Sequence, residues 1–121
     1  MSKIVVFEEE CQNKLISGVN KLARVVGATM GPRGKNVIIG KPVGAPVITK
    51  DGVSVAREVI LDDPVEELAS QMVKEVAGRT AVVAGDGTTT ATVLSDELLT
   101  SSQEVLSKTN PIDFRDGLNW A

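Results

Sequence analysis

The chain has 121 residues, of which 42% are hydrophobic and 24% charged, as expected for one globular domain. A net charge of −3 and an aromatic content of 2% argue against nucleic-acid binding, which uses basic stripes and stacking rings. The chain has no histidine and one cysteine, which excludes Ser-His-Asp and Cys-His catalysis and zinc sites built on these residues.

The first part of the chain predicts a strand, a long helix and a hairpin. Residues 3–7, KIVVF, are typical of a short strand. Apolar residues then recur at helical spacing, which predicts a helix over residues 8–28. The segments 36–40 and 47–49 are strand-like and flank a loop rich in Gly and Pro, which indicates a β-hairpin. The predicted apolar face of the helix consists of Phe7, Cys11, Leu15, Val19, Leu22 and Val26.

The middle of the chain carries one ambiguous segment and one clear helix. Residues 53–59, VSVAREV, alternate as a strand does, but Asp51 could cap a helix there. Asp63 as N-cap, a proline after it and Glu66 in the capping-box position predict a helix over residues 64–84. Its predicted apolar face consists of Val65, Leu68, Ala69, Met72, Val73, Val76 and Ala77.

Two further helices are predicted toward the C-terminus. One covers residues 88–107. The next begins with Asn110 as N-cap, a proline at its first position and Asp113 in the capping-box position. The apolar face of this last helix has only begun when the sequence stops, so we expect the chain to be a fragment of a longer protein. The predicted face of the earlier helix consists of Ala91, Leu94, Leu98 and Val105.

Residues 85–90, GDGTTT, hold two glycines, a carboxylate and three hydroxyls where a helix begins. Glycines allow a close approach to an anion, and a helix N-terminus offers unpaired N–H groups to phosphate. Asp86 would repel phosphate unless a cation lies between them, which suggests Mg²⁺. The alternative is an ordinary glycine break followed by a threonine cap, and the local sequence does not decide between the two.

Two other turns carry basic or acidic side chains. Residues 29–36, TMGPRGKN, are close to a P-loop but fail its pattern, because Thr29 and Asn36 stand where Gly and Ser or Thr belong. Taken alone this segment is a basic surface turn. Residues 49–52, TKDG, are either a plain turn or a site in which Asp51 orients water and Lys50 lies near phosphate. The three turns become informative if the fold brings them together.

The stretches TMGPRGKNVIIGKPVGAPVITKDGVSVAREV, QMVKEVA and AGDGTTTATVL closely resemble the start of a GroEL-type (group I) chaperonin subunit. The resemblance extends over essentially the whole chain. It implies a mainly α fold, a truncated equatorial-domain-like helical bundle with a small β-hairpin. Residues 1–121 would form the N-terminal part of that ATP-binding domain, without the intermediate and apical domains. It also implies that VSVAREV is helical.

The resemblance implies roles for individual residues. The loop of Thr29, Met30, Gly31 and Pro32 would lie against ATP, and Asp51 would be the catalytic carboxylate that positions water. The remaining ATP contacts would come from Lys50 and from the phosphate loop Gly85, Asp86, Gly87, Thr88, Thr89 and Thr90. Asp86 would bind Mg²⁺, and the positions of Thr29, Lys50 and Thr89 would help to hold K⁺.

Two functions are therefore expected from the sequence. The first is an ATP-dependent protein-folding chaperonin, of which this chain contributes the phosphate and magnesium loop and inter-subunit contacts. The alternative is a non-catalytic, self-associating helical module with weak or no nucleotide binding. The resemblance implies a cytoplasmic homo-oligomeric ring, with co-chaperonin and unfolded clients bound by absent domains and with no nucleic-acid or membrane partner.

Overall fold

The computed structural model describes Lys3 and residues 5–121, and in this part of the chain it shows five helices and one two-stranded sheet. The strands are antiparallel, with Val37 opposite Thr49. The mainly α fold with a small hairpin, predicted from the sequence, is confirmed. None of the described helices is long and apolar enough to cross a membrane. The elements are α1 (Glu8–Gly27), β1 (Val37–Ile39), β2 (Val47–Thr49), α2 (Gly52–Glu58), α3 (Pro64–Ala84), α4 (Thr88–Leu106) and α5 (Pro111–Trp120).

Helix α1 is the centre of the fold, because α2, α3 and α4 all pack against it. Leu22 and Val26 of α1 and Val55 of α2 are fully buried. Burying an aliphatic side chain of this size contributes about 1.5–3 kcal/mol. The rest of the core cluster consists of Val19, Ala56, Ala69 and Val73. With so few aromatic residues in the sequence, aliphatic side chains of three helices supply this core.

Helices α1 and α3 approach closely at Gly18. A Cβ atom at this position would overlap the carbonyl oxygen of Glu66. The side chain of Glu66 then binds back to α1, accepting from the Ser17 hydroxyl at 3.0 Å and from the Lys21 ammonium at 2.5 Å. The prediction that Glu66 closes a capping box is therefore wrong, since its carboxylate joins the two helices instead.

The start of α3 is tied to α1 by an ion pair. Lys14 Nζ lies 2.9 Å from Asp63 Oδ2, while Asp63 Oδ1 accepts from the backbone amides of Val65 and Glu66. Lys14 lowers the pKa of Asp63, and the same hydrogen bond raises the pKa of Lys14. One carboxylate thus caps α3, as predicted, and also binds the neighbouring helix.

Two predictions about the apolar segments are wrong. Lys3 and residues 5–7 form no strand, and residue 4 lies outside the described part; Val5 and Phe7 are 68% and 73% exposed, and no second strand pairs with them among the described residues. The predicted face of α4 is also exposed at Leu94, Leu98 and Val105. The buried residues of α4 are instead Thr88 and Thr92, on the side that faces the neighbouring helices.

The apolar face predicted for α3 is half correct. Val65, Ala69, Val73 and Ala77 are buried, as a row with four-residue spacing that faces α1. The adjacent row, Leu68, Met72 and Val76, is exposed by 64%, 66% and 52%. Composition cannot distinguish two such rows on one helix, so only the packing partner determines which of them is buried.

We predict that Gly18→Ala destabilises the chain by about 1–3 kcal/mol, because the new methyl group forces α1 away from α3. Gly78→Ala is the matched control: Gly78 lies in α3 with open space around it, so the change should stabilise the helix by about 0.5–1 kcal/mol. Urea unfolding followed by circular dichroism measures both. Equal changes in the free energy of unfolding of the two variants would contradict the close approach of α1 and α3 at Gly18.

Candidate functional site

The junction between α3 and α4 consists of two glycines with left-handed backbones around one aspartate. Gly85 has φ 77° and ends α3, and Gly87 has φ 95° and is the N-cap of α4. Both positions favour glycine, since other residues are strained in this region. Asp86 is exposed, and its Oδ1 accepts from the Gly87 amide at 2.7 Å. The chain therefore passes from α3 to α4 within three residues and carries an acidic side chain at the start of α4.

The first turn of α4 has no side-chain cap. In contrast, Asp51, Asp63 and Asn110 cap α2, α3 and α5 with their side chains. The prediction of a threonine cap, which the sequence left open, is thus wrong, because the N-cap is Gly87. The first-turn amides of α4 keep the partial positive charge of a helix N-terminus and can bind an anion.

The three threonines that follow differ in environment. Thr88 is 7% exposed, and its carbonyl accepts from the fully buried Thr92 hydroxyl at 2.9 Å. Thr89 is half-buried and Thr90 is exposed. Thr88 therefore anchors α4 in the fold, while the side chain of Thr90 lies at the surface of the turn.

Residues from three segments meet around Gly52. This buried glycine begins α2, and a Cβ atom built on it would overlap Thr89 Oγ1 and lie 3.1 Å from Thr29 Oγ1. Thr29 Oγ1 donates to the Val26 carbonyl at 2.7 Å, so its proton is used and its oxygen lone pairs point elsewhere. Two hydroxyl oxygens from distant parts of the sequence thus lie against one glycine. This arrangement supports convergence of the three turns seen in the sequence.

The turn after α1 is held by its own backbone. The Lys35 amide donates to the Ala28 carbonyl at 2.7 Å, and the Gly34 amide donates to Gly31 at 3.0 Å. A Cβ atom at Gly34 would overlap the Thr29 carbonyl oxygen. These contacts fix Thr29 beside α2 and leave Met30, Gly31 and Pro32 exposed.

Asp51 has a structural role that the sequence indicated only as one alternative. Its Oδ1 accepts from the Val53 amide at 3.3 Å, and its Oδ2 accepts from the amide and the hydroxyl of Ser54 at 3.2 and 2.7 Å. The hydrogen bond from the Ser54 hydroxyl holds the pKa of Asp51 below its usual range. Asp51 therefore caps α2 and carries a negative charge at neutral pH.

The sites predicted for cations have suitable donor sets. Magnesium is commonly held by one or two carboxylates together with phosphate oxygens and water, and exposed Asp86 beside the open α4 terminus fits that pattern. Among the described residues no three acidic or cysteine side chains cluster as a metal site, so phosphate would have to complete the coordination. The hydroxyl oxygens of Thr29 and Thr89 suit a monovalent cation. Lys50 is exposed, and its described surroundings do not link it to either hydroxyl.

One open surface depression lies away from these turns. It has a volume of about 730 Å³ and lies between the start of α1 and the end of α4, where Glu8, Glu9 and Glu104 line it. This is the opposite end of the α1–α4 pair from Thr29 and Thr89. Its acidic lining repels phosphate, so size alone does not identify the phosphate site.

Sequence reasoning missed two residues of this region. Gly52 stood within the quoted turn TKDG, but its contacts with Thr29 and Thr89 come from segments that are distant in sequence. Ser54 lies three residues after Asp51, the N-cap of α2. This spacing could have suggested the hydrogen bond between the two side chains.

Comparisons with known proteins agree on one family. The sequence pattern of the TCP-1/cpn60 chaperonin family matches residues 22–121. Among solved structures, the chaperonin gp146 from bacteriophage EL 2 (Pseudomonas aeruginosa), crystallised in the presence of ATP-BeFx, is similar with 32% sequence identity and a TM-score of 0.76. The match covers 84% of this chain and 18% of the phage protein. The chain thus spans less than a fifth of the length of this relative.

We predict that Gly52→Ala displaces the Thr89 hydroxyl and costs about 1–3 kcal/mol of stability, because the methyl group would occupy its place. Gly40→Ala is the control, since nothing lies within 4 Å of a Cβ atom there. Urea unfolding and the methyl chemical shift of Thr89 measure the two effects. An unchanged Thr89 resonance in Gly52→Ala, with wild-type stability, would show that α2 and α4 do not meet at this glycine.

Proposed function

Because the chain belongs to the TCP-1/cpn60 chaperonin family, we propose that it is the N-terminal part of the equatorial, ATP-binding domain of a GroEL-type subunit. The observation that carries this proposal is the meeting of Thr29, Gly52 and Thr89 beside the uncapped start of α4. The relative of known structure was crystallised with ATP-BeFx, which supports a nucleotide as the ligand.

The phosphates of ATP would bind at the first turn of α4. Backbone amides of this turn offer donors, the left-handed glycines allow a close approach, and the hydroxyls of Thr88, Thr89 and Thr90 lie in the same turn. Met30, Gly31 and Pro32 are exposed next to Thr29, where they would contact the nucleotide together with Lys50. The unpaired amides explain why an anion is attracted there without a basic cluster.

Two cations complete the proposed site. Asp86 would hold Mg²⁺, which when bound neutralises charge on the phosphate oxygens. Thr29 and Thr89 would supply hydroxyl oxygens to K⁺, with Lys50 at the neighbouring position.

Asp51 is the proposed catalytic carboxylate. Its lowered pKa keeps it ionised, so one of its oxygens can accept a hydrogen bond from water and orient that water toward phosphate. Positioning of the nucleophile, together with electrostatic stabilisation, is what protein groups contribute to phosphoryl transfer. The cap interaction with α2 holds the carboxylate in place for this purpose.

The complete protein would supply what this chain lacks. The chain spans 18% of the phage chaperonin, so we propose that other segments contribute the rest of the nucleotide pocket and the client-binding surface. The proposed partners of the complete protein are identical subunits in a ring, a co-chaperonin and unfolded proteins, in the cytoplasm.

A second candidate is a non-catalytic module that self-associates. The exposed row of Leu68, Met72 and Val76 on α3 favours association with another apolar surface. The two candidates differ in their need for carboxylates. ATP hydrolysis would depend on Asp51 and Asp86, whereas self-association through α3 requires neither.

We predict that in the complete protein Asp86→Ala abolishes magnesium-dependent ATP hydrolysis, and that Asp51→Ala lowers kcat by about 10²-fold or more while ATP still binds. Asp62→Ala is the control, because Asp62 is an exposed carboxylate outside the site. Steady-state phosphate release measures turnover, and calorimetry measures binding.

Wild-type turnover in both the Asp51→Ala and the Asp86→Ala protein would contradict the proposed function and favour the self-associating module. The 121-residue chain alone should hydrolyse ATP negligibly, because the proposal assigns the rest of the nucleotide pocket to other segments. Turnover by this chain that Asp86→Ala abolishes would show that no further segment is required.

A further inference from the structure

Three donors bind the carboxylate of Asp51 unequally. Oδ2 receives two hydrogen bonds, from the amide and the hydroxyl of Ser54, whereas Oδ1 receives one, from the Val53 amide. A carboxylate oxygen has about two acceptor directions. Oδ2 is therefore fully occupied, and Oδ1 keeps one direction for a further donor.

The Ser54 hydroxyl makes the shortest of these bonds. At 2.7 Å it is a charge-assisted O–H···O⁻ bond, while the two amide bonds measure 3.2 and 3.3 Å. On the other side, the Asp51 amide donates to Thr49 Oγ1 at 3.0 Å. The backbone of Asp51 is thus held by Thr49. The two amides hold one carboxylate oxygen each, and the Ser54 hydroxyl adds the shortest of the three bonds.

We propose that Ser54 is a positioning residue for ATP hydrolysis, whose hydroxyl occupies Oδ2 of Asp51 and thereby leaves the free acceptor direction of Oδ1 for the attacking water. This inference rests on the proposed function, in which Asp51 orients that water. Ser54 acts through Asp51 and needs no contact with the nucleotide.

A purely structural role for Ser54 makes a different prediction. The backbone amides of Val53 and Ser54 cap α2 through Asp51, and these donors remain when the side chain of residue 54 is changed. The helix therefore keeps its cap without the hydroxyl. What is lost is the shortest of the three hydrogen bonds to the carboxylate, which leaves one acceptor direction of Oδ2 empty; this affects the oriented water and not the binding of ATP.

The test is steady-state ATP hydrolysis by the complete protein. Ser54→Ala should lower kcat about tenfold with KM unchanged, as expected for loss of one charge-assisted bond. Ser54→Thr keeps the hydroxyl and should restore kcat. Ser101→Ala is the matched control, because it removes a hydroxyl–carboxylate bond of 2.8 Å to Glu97, far along α4, and should leave kcat unchanged.

Asp51→Asn, measured in parallel, distinguishes a failure of the inference about Ser54 from a failure of the proposed function. If Asp51→Asn lowers kcat but Ser54→Ala does not, the inference is wrong and the proposed function stands. If neither variant changes kcat, both are wrong. A Ser54→Ala protein with raised KM and a lowered melting temperature, not restored by Ser54→Thr, would also overturn the inference, because that pattern indicates general damage to α2.

Discussion

The close approach of α2 to α4 at Gly52 is the constraint on which the rest of the site depends. Only a residue without a side chain fits between the hydroxyls of Thr29 and Thr89. This contact places Asp51, the cap of α2, next to the uncapped start of α4. Buried aliphatic residues on α1 and α2, with Leu22 and Val55 fully enclosed, hold α2 against α1, and α4 packs against α1 as well.

The capping residues explain how much of the fold could be predicted from sequence. Asp51, Asp63 and Asn110 accept from backbone amides at the predicted helix starts, because capping is a local interaction that the neighbouring residues determine. The hairpin and the end of α3 at Gly85 are equally local. The resemblance to chaperonins supplied the helical state of VSVAREV, which its alternation alone left undecided.

Burial was less predictable because it depends on packing partners. The row containing Leu68 is as apolar as the row containing Ala69, yet only the second faces α1. On α4 the buried positions are Thr88 and Thr92, and the Thr92 hydroxyl bonds within the helix. For the site, the candidate residues could be named from sequence, whereas the shared contact at Gly52 and the hydrogen bond from the Ser54 hydroxyl to Asp51 required three-dimensional structure.

We propose that residues 28–35, 49–54 and 85–90 form one phosphate-binding corner. Its most direct test is a titration of the isotope-labelled chain with Mg·ATP at millimolar concentrations, followed by amide chemical shifts. If the corner forms, resonances of all three segments shift together with one dissociation constant, while those of residues 8–12, at the other end of α1, do not. Shifts confined to one segment, or strongest around the acidic depression at residues 8–12, would contradict it.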